Sequence, residues 1–289
     1  MRLQNKKFAL RIKLLIILTL CCTHVYSTEV DSLSISYRLE KLFGRLISER
    51  EDSTRLMVND SIKTIVESMV KTDSIFNFNL QNVRYLGQIT SPDSVFKIVS
   101  WNLNLKDEAG KYFCYIIKGN FSGERNSIYR LEASYDSTNI LKGTIYTADN
   151  WYGALYYEIR SQIIDGVKCW ILLGINYSNP LITKKVIDVI RFTDDGIILG
   201  SNIFSSPEGL QAREVFQYSA DATMTLRFTD DKTIVFDHLV PFSPDLEGKL
   251  EYYGPDFSYD AFIFEDGIWT FKLDVDAKNE ERPTLPPLR

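Results

Sequence analysis

Histidine is almost missing from the chain: of 289 residues only His24 and His238 carry an imidazole. A site built on several histidine ligands is excluded by that count. A Ser-His-Asp relay would need His238 beside a nucleophile, and no Gly-x-Ser-x-Gly turn presents one. Phosphate loops are missing too, since neither Gly-x-Gly-x-x-Gly nor Gly-Lys-Ser/Thr occurs. No nucleotide is expected as a ligand.

Long apolar runs are equally scarce. The longest lies at the start, in "MRLQNKKFALRIKLLIILTLCCTHVYSTEV". Arg2, Lys6, Lys7, Arg11 and Lys13 form a basic region before an apolar run from Leu14 to Cys22. That run is far shorter than the roughly 20 residues a membrane-spanning helix needs. Val25 and Ser27 then fit a cut before Thr28, so residues 1–27 read as an export signal. A lipoprotein cut before Cys21 or Cys22 is the weaker alternative, because Leu20 and Cys21 stand where a small residue is usual. The mature chain is expected to be periplasmic or secreted and to contain no transmembrane span.

Basic charge is in short supply once the signal is gone. Its five basic residues leave with it, so 28 Lys and Arg face 38 Asp and Glu, a net charge of about −10. Such a chain repels phosphate backbones, and no basic stripe offsets this, so nucleic acid is not an expected partner.

Of the four cysteines only Cys114 and Cys169 remain after processing. Each sits in an apolar run, "KYFCYII" and "VKCWILL". Two readings stay open: two buried thiols, or a disulfide between Cys114 and Cys169, which an oxidising compartment permits. A zinc site of ordinary spacing is not available. Asp274, Asp276 and Asn279 offer oxygens without the glycine turn of a calcium loop. No metal and no other cofactor is expected.

What is present is periodicity. Leu39, Leu42, Phe43, Leu46 and Ile47 form one helical stripe, and Val58, Ile62, Ile65, Val66 and Met69 form another after the charged break "SEREDS". Residues 28–73 therefore read as a helical segment, two helices or one bent helix, whose apolar face covers the sheet that follows. From residue 74 to 276 the period becomes two. Phe76, Phe78 and Leu80 alternate with Asn77 and Asn79, and Trp101, Leu103 and Leu105 with Asn102 and Asn104. Turn centres near residues 109, 165, 195, 231 and 266 mark five hairpins, three of them at Asp-Gly pairs, 165–166, 195–196 and 266–267. The expected fold is mainly β, an antiparallel hairpin meander closing as a propeller-like array, a barrel or a large folded sheet. Residues 277–289 carry three prolines in "ERPTLPPLR" and read as an extended tail.

Two aromatic stretches stand out, "DNWYGALYYEI" and "YYGPDFSYDAF". Rings beside acids and amides are the composition that stacks on sugars and bonds their hydroxyls. Trp151, Tyr152, Glu158, Tyr253, Asp256, Tyr259 and Asp260 are the ligand-binding candidates, set against the plainer reading of aromatics as ordinary strand residues. The adjacent acids Asp194/Asp195, Asp230/Asp231 and Glu265/Asp266 fit turn chemistry. A carbohydrate-active hydrolase would draw instead on two of Glu158, Asp256, Asp260 and Glu265.

Read in order, "KIVSWNLNL", "YYEI", "CWILLGINY", "REVFQYSADATMTLRF", "IVFDHLVP" and "YYGPDFSYDAF" resemble a family of uncharacterised exported proteins from Bacteroidota, over roughly residues 75–276. The resemblance implies an envelope location and brings no activity, cofactor or catalytic residue. The expected function is a non-catalytic binding or structural role in the cell envelope, with a glycan, a peptide or another envelope protein as partner.

Overall fold

The computed structural model describes residues 33–72, 75–78, 80, 83–107, 109–120, 125–135 and 140–276. The export signal and the proline-rich tail lie outside the described residues, as does Asn279. Two helices come first, α1 over 33–48 and α2 over Asp52–Val70. They are broken at 49–51, where the charged residues fall. Leu39, Phe43 and Leu46 of α1 and Val58, Ile62, Ile65, Val66 and Met69 of α2 are buried as their spacing requires, whereas Ile47, in the last turn of α1, is half exposed.

The rest is mainly antiparallel β, divided into three separate sheets. The first is a meander of β1 (Gly87–Thr90), β2 (Phe96–Leu103), β3 (Lys111–Lys118) and β4 (Ser127–Ser134). The second contains β5 (Leu155–Ile164), β6 (Val167–Asn176), β7 (Ile182–Thr193), β8 (Gly196–Leu199) and β11 (Glu214–Ser219), in the order β11-β7-β6-β5, with β8 on the remaining length of β7. The third runs β10-β9-β15-β14-β13-β12, from β9 (Phe204–Ser206), β10 (Gly209–Gln211), β12 (Leu226–Asp230), β13 (Thr233–Pro241), β14 (Tyr253–Glu265) and β15 (Ile268–Lys272). Only β9 and β15 pair in parallel among the described strands. No closed barrel forms among the described residues.

The helices and the three sheets stack as successive layers. Val99, Trp101, Leu103, Phe113, Tyr115 and Ile117 turn one face of the first sheet to the helices. Ile98, Tyr112, Cys114, Ile116 and Leu131 turn its other face to Tyr156, Ile159, Trp170 and Leu172 of the second sheet. The far side of that sheet, with Cys169, Ile171, Leu173, Ile187 and Val189, meets Phe228, Ile234, Phe236, Phe262 and Trp269 of the third. Strands covered on both faces carry continuous apolar runs, which is why β3, β6 and β7 show little alternation.

The same layering decides the cysteine question. Cys114 and Cys169 are free, buried thiols in different cores, on opposite sides of the second sheet, and the disulfide alternative is not formed. Burial pushes the Cys169 thiol up to about 11 and Cys114 higher still.

All five expected hairpins are found, with two local corrections. Asp165-Gly166 and Asp266-Gly267 have the paired positive φ of the favoured tight turn, 50° and 75°, then 50° and 85°. In the third hairpin Gly196 already pairs with Thr193, so the turn is Asp194–Asp195 instead of Asp195-Gly196. The expected strand through Phe76, Phe78 and Leu80 is not a strand: Ile75–Asn77 is a single 3-10 turn. Its alternating apolar residues plug the space between α2 and the first sheet, and the buried ammonium of Lys97 bonds the carbonyls of Ile75 and Phe78. Those carbonyls are satisfied without a neighbouring strand.

Candidate functional site

The residues leading into β5 make a wall at the edge of the first two sheets. The chain turns at 147–150, where the Asn150 carboxamide oxygen accepts from the amide and hydroxyl of Thr147, at 2.6 and 3.1 Å. It turns again at Gly153, whose φ is 83°. A Cβ there would stand 2.6 Å from the Tyr112 ring, so glycine is required. Between the two turns lie Trp151 and Tyr152.

The wall faces a cleft of about 450 Å³. Its other side is the C-terminal end of edge strand β4, Glu132 to Ser134, followed by Tyr135, and its end is closed by Asn176, Ser178 and Lys184. Asn176 is itself fixed, donating to the Gly153 carbonyl at 2.7 Å and accepting from the amide and hydroxyl of Ser178. The cleft thus presents half-buried tyrosines with the exposed Glu132, Ser134 and Asn150, and Trp151, Asn176 and Lys184 are buried beneath its lining.

Behind the wall is a buried ionic network. Asp188 of β7 and Arg213 are both fully buried, joined Nε to Oδ2 at 3.2 Å and Nη2 to Oδ1 at 3.3 Å. Arg213 also donates to the carbonyls of Leu141, Thr144 and Leu199. Its guanidinium lies over the rings of Tyr146 and Tyr152, 4.5 and 5.3 Å from their centroids. The Tyr152 hydroxyl donates to Asp188 at 2.7 Å and meets the Tyr156 hydroxyl at 3.2 Å, which accepts from the Trp151 indole at 3.0 Å.

Burial pushes the Asp188 carboxyl's pKa up, against the pull of Arg213 and Tyr152. Burial raises the Tyr152 phenol well above its ordinary value, and Asp188 adds to the shift. Both groups are spoken for by this network. It holds the aromatic wall in place and offers no free nucleophile or base.

Of the seven sequence candidates, Trp151 and Tyr152 line this cleft. Glu158, on β5, pairs with Arg160 at 3.0 Å and accepts from the Phe228 amide of β12. The other four lie in the third sheet. The Tyr253 hydroxyl accepts from the Gly248 amide, Asp256 is exposed and bonded to Ser258, and Asp260 is buried against His238 at 2.7 Å. Tyr259 stands opposite Asp237 in the ladder between β13 and β14. Glu265 is exposed where β14 reaches its hairpin. The two aromatic stretches therefore belong to different layers, and none of the four carboxylates considered for a hydrolase lines the cleft.

Asn150, Asn176 and Lys184, and the supporting Asp188 and Arg213, have no motif to announce them. Asp188 alone left a signal, as a single acid inside the apolar run "VIDVI", where a strand covered on both faces must bury it with a partner. No protein-family model, curated protein or solved structure matches the chain.

Proposed function

We propose that this is an exported, non-catalytic binding protein of the cell envelope, periplasmic or secreted, that holds a saccharide in the cleft between its first two sheets. The carrying observation is the wall of Tyr146 and Tyr152, half-buried beside the buried Trp151, fixed from behind by Asp188 and Arg213 and faced by Asn150 and Ser134. A preformed aromatic face with amides and hydroxyls around it meets both surfaces of a sugar ring at little ordering cost. The basic region, short apolar run and cut site within residues 1–27 support the location. A hydrolase reading has less support, because Asp188 is locked in its ion pair and Glu158 in its own.

The test is affinity electrophoresis of residues 28–289 through gels holding a panel of plant, host and bacterial polysaccharides, with the products assayed for new reducing ends. Retardation without cleavage is the expected result. The Ser134→Trp variant blocks the cleft mouth from an exposed position and should migrate freely. Cleavage by the purified protein, or retardation that survives Ser134→Trp, contradicts the proposal.

A further inference from the structure

The second aromatic stretch carries a feature that sugar binding in the cleft does not use. In the ladder between β13 and β14, Asp237 pairs with Tyr259 and Leu239 with Pro255, so three residues, Asp256, Phe257 and Ser258, bulge opposite the single His238. At the tip Phe257 has φ 73° and is 93% exposed. A bulky residue in the left-handed region is strained, and a phenyl ring left in water forgoes its burial. Both costs fall on one side chain.

The bulge is held firmly in that shape. Asp256 accepts from the amide and hydroxyl of Ser258 at 3.0 and 2.7 Å. His238 bonds Asp260, which accepts from the Asp274 amide at 3.1 Å, and the Val275 amide donates to the Tyr259 carbonyl. Phe257 is thus an apolar knob on a bonded bulge, with the exposed carboxylate of Asp256 next to it and exposed Asp274 tied to Asp260 of the same strand.

The helices form the opposite end of the layer stack. A groove of about 490 Å³ between α1 and α2 is floored by Leu42 and Ile65 and rimmed by Arg38, Lys41, Ser61 and Thr64. A phenyl ring needs far less room, since a cavity of about 150 Å³ holds benzene. Among the described residues neither Arg38 nor Lys41 pairs with a carboxylate, and Lys41 rests over the Tyr37 ring.

We infer that the protein associates with further copies of itself head to tail, Phe257 of one copy seating between α1 and α2 of the next, with Asp256 and Asp274 against Arg38 and Lys41. The two surfaces differ and lie on the first and last layers, so the contact does not close on a dimer and builds larger rings or chains. The knob supplies the affinity and the charges set the register.

Sedimentation velocity of residues 28–289 over a wide concentration range tests this. Mass should rise with concentration past the dimer and fall back in about 1 M salt, where screening reaches about 3 Å. Phe257→Asp should weaken association at least about tenfold. Phe257→Gly should do the same while raising the urea midpoint, because glycine accepts this φ without strain. The pair Asp256→Lys with Asp274→Lys should be monomeric alone, as should Arg38→Glu with Lys41→Glu, and the two variants mixed should associate. A monomer at every concentration, a closed dimer insensitive to Phe257→Asp, or no association in the mixture overturns the inference.

Discussion

Replacing Arg213 by methionine is expected to be among the most damaging single changes in the protein. The substitution keeps much of the side-chain volume and removes the guanidinium from a site where both ionic partners are fully buried. Asp188 keeps only the Tyr152 hydroxyl and the Val189 amide, both at 2.7 Å. Stripping one partner from a buried pair costs about 3–5 kcal/mol. The carbonyls of Leu141 and Leu199 lose donors at 2.9 and 3.0 Å, adding about 1 kcal/mol each. A total of about 5–7 kcal/mol is comparable with the whole stability of many domains, about 5–15 kcal/mol. Urea unfolding followed by fluorescence should show a much lower midpoint at unchanged slope.

The sign of the pH response separates charge from packing. Without Arg213 the Asp188 pKa in the folded chain, already raised by burial, rises further above its unfolded value, so more stability is lost as pH rises through that range, and the deficit shrinks in acid. The double variant Asp188→Leu with Arg213→Met leaves no orphaned charge and should recover much of the loss. A cost below about 1 kcal/mol for Arg213→Met, or a double variant as damaged as the sum of its singles, would refute the reasoning.

Other expectations follow from the contacts between layers. Glu67 of α2 takes a two-point bond from Arg130 of β4, at 2.7 and 3.0 Å, which lowers its pKa to about 2. Its contribution is present above its unfolded pKa of about 4.5 and is lost as pH falls toward about 2. After solvent screening it amounts to about 1 kcal/mol, and Glu67→Gln should remove it from the acid limb of an unfolding curve. Burial lowers Lys97 to about 8, so the folded chain is penalised below that pH and gains stability as pH rises from about 8 toward 10.5. Lys97→Met should reduce the stability gained between about pH 8 and 9.5 relative to the parent, a difference in which the opposing effect of the buried thiols of Cys114 and Cys169 cancels. Thiol labelling of residues 28–289 without reductant should find Cys114 and Cys169 unreactive when folded and both reactive in denaturant. Fewer than two thiols on unfolding would contradict the separate placement of the two side chains.

Local pattern made much of this fold readable and long-range packing made the rest unreadable. The helical stripes ending at Leu46 and Met69, and the tight turns at Asp165-Gly166 and Asp266-Gly267, follow from spacing and backbone chemistry within a few residues. Phe76 and Phe78 misled because two alternating rings are too short a signal, and a buried Lys97 from another segment supplied the hydrogen bonds a strand would have needed. The division into three stacked sheets was written only as the unbroken apolar runs of β3, β6 and β7. Trp151 and Tyr152, which line the cleft, stood out by composition. Their separation from Tyr253 and Asp260 was not, because similar aromatic phrases serve an inner cleft in one layer and an outer strand in another. Arg213, whose partner is 25 positions away in the chain, could be found only from the fold.

Calorimetric titration of residues 28–289 with a soluble oligosaccharide from a retarding polymer, beside the Ser134→Trp variant, tests the proposed saccharide site most directly. The account predicts one site per chain in the parent protein and none in Ser134→Trp, with the same urea midpoint for both. Undiminished binding to Ser134→Trp, or no binding to the parent, would contradict it.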